Sequence, residues 1–233
     1  MNCYICNESK FSRIENSLRD SNEIRVIRCM NCGCTQLDSK NHTSINHYSE
    51  SGMHKSAPMS FEEWKVESKN DDLRRYRRYE KFIRGKSILD IGSGNCGFLE
   101  LCSGSAKLTY GVEPEKRVLE HYKDSLSIRL VPEIKEINRE IKYDIITMFH
   151  VIEHLNDPIN FLRKVKSLLK PEGRIIVECP NINDALLSLY RSKEFERTYY
   201  WSQHLFYFNE KDLVKIISQA GYTKYKFELC QRY

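Results

Sequence analysis

The sequence predicts an α/β protein: a doubly wound, mostly parallel sheet preceded by a small zinc-binding segment. Three observations carry this expectation. From Ser87 onward, apolar runs alternate with helical or turn-rich stretches, the pattern of parallel strands joined by crossovers. The first of those runs opens into "SILDIGSGNCGFLE", a glycine-rich turn between a strand and a helix. Two C-x2-C pairs, "CYIC" and "CMNC", stand near the N-terminus.

The 233 residues suit one α/β domain with a small appendage. A hydrophobic fraction of 40% and a charged fraction of 30% are those of a globular chain. No stretch approaches the ~20 apolar residues of a membrane helix, and "MNCYICNESK" lacks the apolar core of a secretory signal. A cytoplasmic protein without a membrane span is expected. The net charge of +5 permits an anionic partner without demanding nucleic acid.

Five of the nine cysteines crowd into the first 34 residues, and the odd total argues against a disulfide framework. Cys3, Cys6, Cys29 and Cys32 have the spacing with which paired thiolates enclose one tetrahedral Zn²⁺, and metal binding folds such a segment. "NEIRVIRC" reads as a strand delivering the second pair, Gly33 eases the turn after it, and Cys34 is a spare. Residues 1–36 are therefore a zinc-ribbon-like segment. Residues 37–59, polar and aperiodic with His42, His47 and His54, are a linker or cover loop with solvated histidines. The main domain runs over 60–233.

Ser60 and Glu63 form a capping box that opens a helix. Within it Leu73, Tyr76, Tyr79 and Phe82/Ile83 share a helical face, with solvated arginines between them. Strands follow at "SILDI", "KLTYGV", "LSIRLV", "YDIITMF" and "RIIVEC". Before the last of these, Asp157 caps a helix, Pro158 fills its first turn, Leu162, Val165 and Leu169 line one face, and Gly173 ends it.

In such sheets ligands bind beyond the carboxyl ends of the strands. Gly92, Gly94 and Gly97 spell G-x-G-x-x-G, and Glu113, twenty-one residues past Gly92, is placed to accept ribose hydroxyls. A ribose acid serves NAD and S-adenosylmethionine alike. Asp90 discriminates between them: a pyrophosphate would be repelled there, whereas an ammonium and a sulfonium would be attracted. The expected cofactor is S-adenosylmethionine.

"ILDIGSGNCGFL", "GVEP" and "FHVIEHLNDPINFLRKVKSLLKPEG" followed by "RIIVECPN" resemble the ordered motifs of class I S-adenosylmethionine-dependent methyltransferases, which have a Rossmann-like fold. The resemblance covers about residues 86–229. It implies that Asp90, Gly92, Ser93 and Gly94 line the methionine portion and that Glu113 binds ribose. It further implies that Pro114 abuts adenine, with Glu133 or Ile134 nearby, and that Phe149 and His150 close over the sulfonium side. The cysteine-rich start is similar to zinc-ribbon-bearing methyltransferases, including ones that modify sugars, surface-glycan precursors and natural products. Domains of this class end in an antiparallel strand pair. "YTKYKFELCQRY" is expected to supply the first strand of that pair, and the second is missing after Tyr233.

On the acceptor side, His150 and His204 are the candidate catalytic residues, one as general base, with His154 a structural hydrogen-bonding residue. A second metal at "HVIEH" with His204 is the lesser alternative, because "EH" after the fourth strand is common in the wider family. "LLSLYRSKEFERTYYWSQHLFYF" reads as a lid with inward aromatics, or as a pocket whose Arg191, Lys193 and Arg197 clamp an anionic acceptor. The expected reaction is O-methylation of a small molecule, such as a sugar or a phosphorylated or nucleotide-linked glycan precursor. The alternative is methylation of rRNA or tRNA gripped by the zinc ribbon.

Overall fold

The computed structural model describes residues 1–14, 18–42, 48–50 and 59–230. The chain divides into two units. The first comprises Met1–Thr43, His150–Lys164 and Cys179–Leu229; the second comprises Ser44–Phe149, Val165–Glu178 and Cys230–Tyr233.

In the first unit, β1 (Phe11–Arg13), β2 (Val26–Cys29) and β3 (Thr35–Leu37) form an antiparallel meander. Val26 and Leu37 face each other across it, both fully buried. Cys29 closes β2, and Gly33 turns the chain back at φ +79° with its N–H on the Cys29 carbonyl, a conformation that favours glycine. His42 is not simply solvated, since its Nε2 lies 2.6 Å from the Ser202 carbonyl. His47 and His54 lie outside the described residues.

The second unit opens with α1 (Phe61–Ile83), started by the expected capping box between Ser60 and Glu63. Tyr76, Tyr79 and Ile83 pack on the core as expected, but Phe82 turns outward and is 45% exposed. The expectation of solvated arginines is also corrected. Arg75 is buried on the inner face and Arg74 is half-buried, because both guanidiniums reach a carboxylate at the sheet end.

Five parallel strands make the sheet, in the order β6-β5-β4-β7-β8: β4 (Ser87–Ile91), β5 (Leu108–Val112), β6 (Arg129–Val131), β7 (Tyr143–Phe149) and β8 (Leu169–Glu178). Between them run α2 (Gly97–Ser103), α3 (Lys116–Tyr122) and α4 (Pro158–Lys166). The chain winds outward from β4 through β5 to β6, then returns beside β4 with β7. The switch point therefore lies between β4 and β7, where such sheets bind ligands.

Two expectations fail here. Helix α4 ends at Lys166, with Leu162 and Val165 buried as expected, but Leu169 already belongs to β8 and Leu168 fills the core instead. Gly173 does not end the helix. It sits where the β7–β8 register jumps from Tyr143–Leu169 to Ile145–Arg174, and a Cβ there would lie 2.9 Å from the Tyr143 carbonyl. At the other end, residues 222–230 form no strand, because none pairs with them among the described residues and most of them are exposed.

Returning to the first unit, α5 (Ala185–Ser188), α6 (Lys193–Tyr199), β9 (Phe206–Tyr207) and α7 (Glu210–Gln219) complete it. Strand β9 pairs antiparallel with β3, so the cysteine-bearing sheet gains a fourth strand from far along the chain.

Candidate functional site

The glycine turn leaves β4 at its carboxyl end. Gly92 and Gly94 adopt φ +71° and +53°, which few side-chain-bearing residues tolerate. Asp90 sits in the middle of the sheet, level with Gly111 of β5 and Thr147 of β7. It is 2% exposed, and the Thr147 hydroxyl donates to it at 2.6 Å. Burial pushes its carboxyl up to about 7, against the opposing effects of Thr147 and Arg75. Glu113, just past β5, accepts from the Gly94 N–H at 2.8 Å and the Glu115 N–H at 3.0 Å. Burial likewise pushes it up to about 7. Each of its oxygens takes one backbone donor, so the carboxylate retains acceptor capacity. Ser93 bonds the Asp90 carbonyl, and its Oγ would lie 2.4 Å from a Cβ on Gly111, which explains glycine at that position.

Several neighbours were not singled out from the sequence. The indole of Trp64, on α1, covers the turn 3.2 Å from where a Gly94 Cβ would be. Asp72 approaches Gly97 so closely that a Cβ there would meet its Oδ2 at 2.3 Å. Burial raises the Asp72 carboxyl, although Ser68 donates to it at 2.8 Å. Arg75 bonds Glu178 at 2.7 Å, Arg74 bonds it at 2.8 Å, and the Arg75 guanidinium lies 4.5 Å from the centre of the Phe149 ring. The i,i+3 spacing of Asp72 and Arg75 was a readable signal, but it also reads as a solvated helix pair. Glu133 stands after β6 at the start of a short 3₁₀ turn over Ile134–Glu136, with its carboxylate on Lys135 at 2.8 Å. Pro114 precedes Glu115 after β5.

The first unit holds His150, His154 and His204. His150, the residue after β7, adopts φ +56°, a strained value for a side-chain-bearing residue. Its Nδ1 lies 3.2 Å from Glu153 Oε1. His154 Nδ1 donates to the Gln203 carbonyl at 2.8 Å, and the His154 and His204 rings are 4.9 Å apart. Burial, aided by His154, pushes the His204 imidazole down to about 3. Burial alone would raise Glu153, but the His150 hydrogen bond and the surrounding imidazoles hold it down to about 2. Among the lid cations, Arg191 and Lys193 line a cleft of about 220 Å³ with Glu196 and Tyr200, while Arg197 is not among its lining residues. Tyr199 and Tyr200 pack inward, but Tyr190 is 71% exposed.

The four cysteines converge as their spacing predicts. Cys3 and Cys32 sulfurs are 3.5 Å apart, as are those of Cys6 and Cys29. The edge of a zinc–thiolate tetrahedron is ~3.8 Å, so the cluster is nearly of metal-site size. Cys34 is buried outside it.

A strand order with its switch beside β4, a glycine turn at positive φ and an acid after the second strand are the features of an α/β fold that receives a ligand at the ends of its strands. The family follows: a family model described as a methyltransferase domain matches residues 60–226, and the chain belongs to this family, the class I S-adenosylmethionine-dependent methyltransferases. A tRNA U34 carboxymethyltransferase of Pseudoalteromonas translucida is 28% identical over 104 residues, covering 41% of this chain and 32% of that protein. A ubiquinone biosynthesis O-methyltransferase of Haemophilus ducreyi is 26% identical over 110 residues, covering 42% and 46%. The chain thus spans less than half the length of these relatives. A solved S-adenosylmethionine-dependent methyltransferase from Archaeoglobus fulgidus superposes with a TM-score of 0.54 at 24% identity, over 77% and 78% of the two chains. The plantazolicin methyltransferase BpumL, solved with S-adenosylhomocysteine, gives 0.51 at 18%, over 75% and 74%. Both share the fold. Among the described residues, no helix is long and apolar enough to cross a membrane.

Proposed function

We propose that the protein is a cytoplasmic enzyme that transfers a methyl group from S-adenosylmethionine to an oxygen of a small molecule, such as a sugar or a phosphorylated or nucleotide-linked glycan precursor. The donor chemistry of the glycine turn supports the cofactor: two buried carboxylates, Asp90 and Glu113, suit a ligand that is cationic and hydroxylated, not a pyrophosphate. Gly92, Ser93 and Gly94 would hold the methionine portion beside Asp90, Glu113 the ribose, Pro114 with Glu133 or Ile134 the adenine, and Phe149 with His150 the sulfonium side. When bound, S-adenosylmethionine supplies an electrophilic methyl group on a sulfonium leaving group. The chain's own work is to position the acceptor in line with that methyl, exclude water and accept the hydroxyl proton.

The observation that carries the oxygen-methylation reading is the His150–Glu153 contact. The carboxylate accepts from Nδ1–H, which fixes the tautomer with its basic lone pair at Nε2, the atom that would take a hydroxyl proton. Arg191 and Lys193, on one cleft, suit an anionic group on the acceptor. His150→Ala is expected to lower turnover ~10²–10⁴-fold on the true acceptor, with affinity for S-adenosylhomocysteine nearly intact. Turnover within a few-fold of wild type would remove the base role.

A second reading, methylation of tRNA, is favoured by the relatives named tRNA U34 carboxymethyltransferase. Its mark would be tRNA binding that weakens steeply with salt, with the cysteine segment needed for it. In either reading Cys3, Cys6, Cys29 and Cys32 hold a structural Zn²⁺.

A further inference from the structure

We propose that Glu153, His154 and His204 form a second metal site, separate from the four cysteines, that takes a single divalent cation of the zinc type. The ligand atoms of these three residues all lie within 4.8 Å of one another. Three bonds of ~2.0–2.2 Å bring their donors to ~3.3–3.5 Å apart, so the site closes by about an ångström around an ion.

Two buried atoms make the case. Glu153 is 1% exposed, and its Oε2 has no hydrogen-bond partner, although Oε1 is met by His150. The Nδ1 of His204 is buried and equally without a partner. A carboxylate oxygen and an imidazole nitrogen both orphaned in one cluster are costly in a folded protein. A cation between them satisfies both.

The surroundings have the form of an outer shell. His154 donates Nδ1–H to the Gln203 carbonyl, which puts its basic lone pair at Nε2 and fixes the ring. His150 bonds the oxygen of Glu153 opposite the orphan and so orients the carboxylate, while the Leu205 N–H bonds the Glu153 backbone carbonyl and ties this turn to the chain next to His204. Trp201 and Tyr207 pack edge-on against His204. Two imidazoles and one carboxylate suit zinc over magnesium or calcium, which demand oxygen cages. Three protein ligands leave a fourth position for water or an acceptor oxygen, the pattern of a working site and not of a closed structural one. His204, expected from the sequence to act as a base, becomes a ligand.

The test is the zinc content of the full chain, purified without chelators and dialysed against zinc-buffered solution. Wild type is expected to hold about two zinc ions per chain, and Glu153→Gln and Cys29→Ser about one each. His204→Gln repeats the loss at a different ligand, and His150→Ala weakens the site ~10–100-fold in a chelator competition. Circular dichroism and S-adenosylhomocysteine affinity report folding. Folded Glu153→Gln and His204→Gln proteins that both keep the wild-type zinc content would overturn the site. Because Cys29→Ser reads the cysteines alone, failure there is distinguishable from failure here.

Discussion

At the scale of single residues, Asp90 and Glu113 carry the cofactor assignment, and their burial has a measurable sign. The folded protein holds both protons more tightly than the unfolded chain, since both carboxyls are pushed up to about 7. Their contribution to the stability of the ligand-free protein is therefore full below the ordinary carboxylate range. It is lost as pH rises through about 7. Cofactor binding runs the other way, because an ammonium and ribose hydroxyls are recognised by ionised carboxylates. S-adenosylhomocysteine affinity should rise between pH 6 and pH 8, and the Asp90→Asn, Glu113→Gln double variant should lose both the rise and most of the affinity. Calorimetry at the two pH values checks this; a pH-independent wild-type affinity would contradict it. Asp90 was visible in the sequence, but its partner Thr147 was not. Only the β4–β7 register sets the two opposite each other.

At the scale of elements, most of the fold was legible because its periods are strong. "SILDI" and "YDIITMF" are the observed strands to the residue, and the capping box at Ser60 starts α1. What was not legible depends on neighbours that a linear pattern does not contain. Gly173 looks like a helix stop until β7 lies against it. Arg74 and Arg75 look solvated until β8 delivers Glu178. Residues 222–230 have strand-like composition and no ladder partner among the described residues. The third glycine of the fingerprint has the same kind of explanation, since Gly97 is bare because α1 brings Asp72 against the first turn of α2. Gly97→Ala should destabilise the protein by ~1–3 kcal/mol in denaturant titration, because Asp72 is held by Ser68 and Arg75 and has little room to yield. A change below a few tenths of a kcal/mol would show that the carboxylate moves aside freely.

At the scale of the whole molecule, two sheets are built on different principles. The parallel sheet buries a continuous apolar core. The four-stranded sheet of the cysteine segment has short strands and gains β9 from the later chain, so it depends on what joins its ends. Removing the metal with a chelator, or substituting Cys29 by Ser, is expected to raise hydrogen exchange in residues 1–37 and at β9 while leaving β4, β5 and β7 protected. Uniform exchange before and after chelation would mean that the thiols hold no ion. The spacing of the cysteines made this site readable from the sequence. The histidine cluster was less so, because Glu153 and His204 meet only through the fold.

The central claim is that the glycine turn with its two carboxylates receives S-adenosylmethionine. Isothermal titration of the full chain with S-adenosylmethionine, S-adenosylhomocysteine and NAD tests it most directly. The account predicts that both adenosyl ligands bind, that Asp90→Ala loses ~1.5–3 kcal/mol of that affinity, and that NAD gives no heat of binding. NAD binding without either adenosyl ligand, or an Asp90→Ala protein with wild-type affinity, would contradict it.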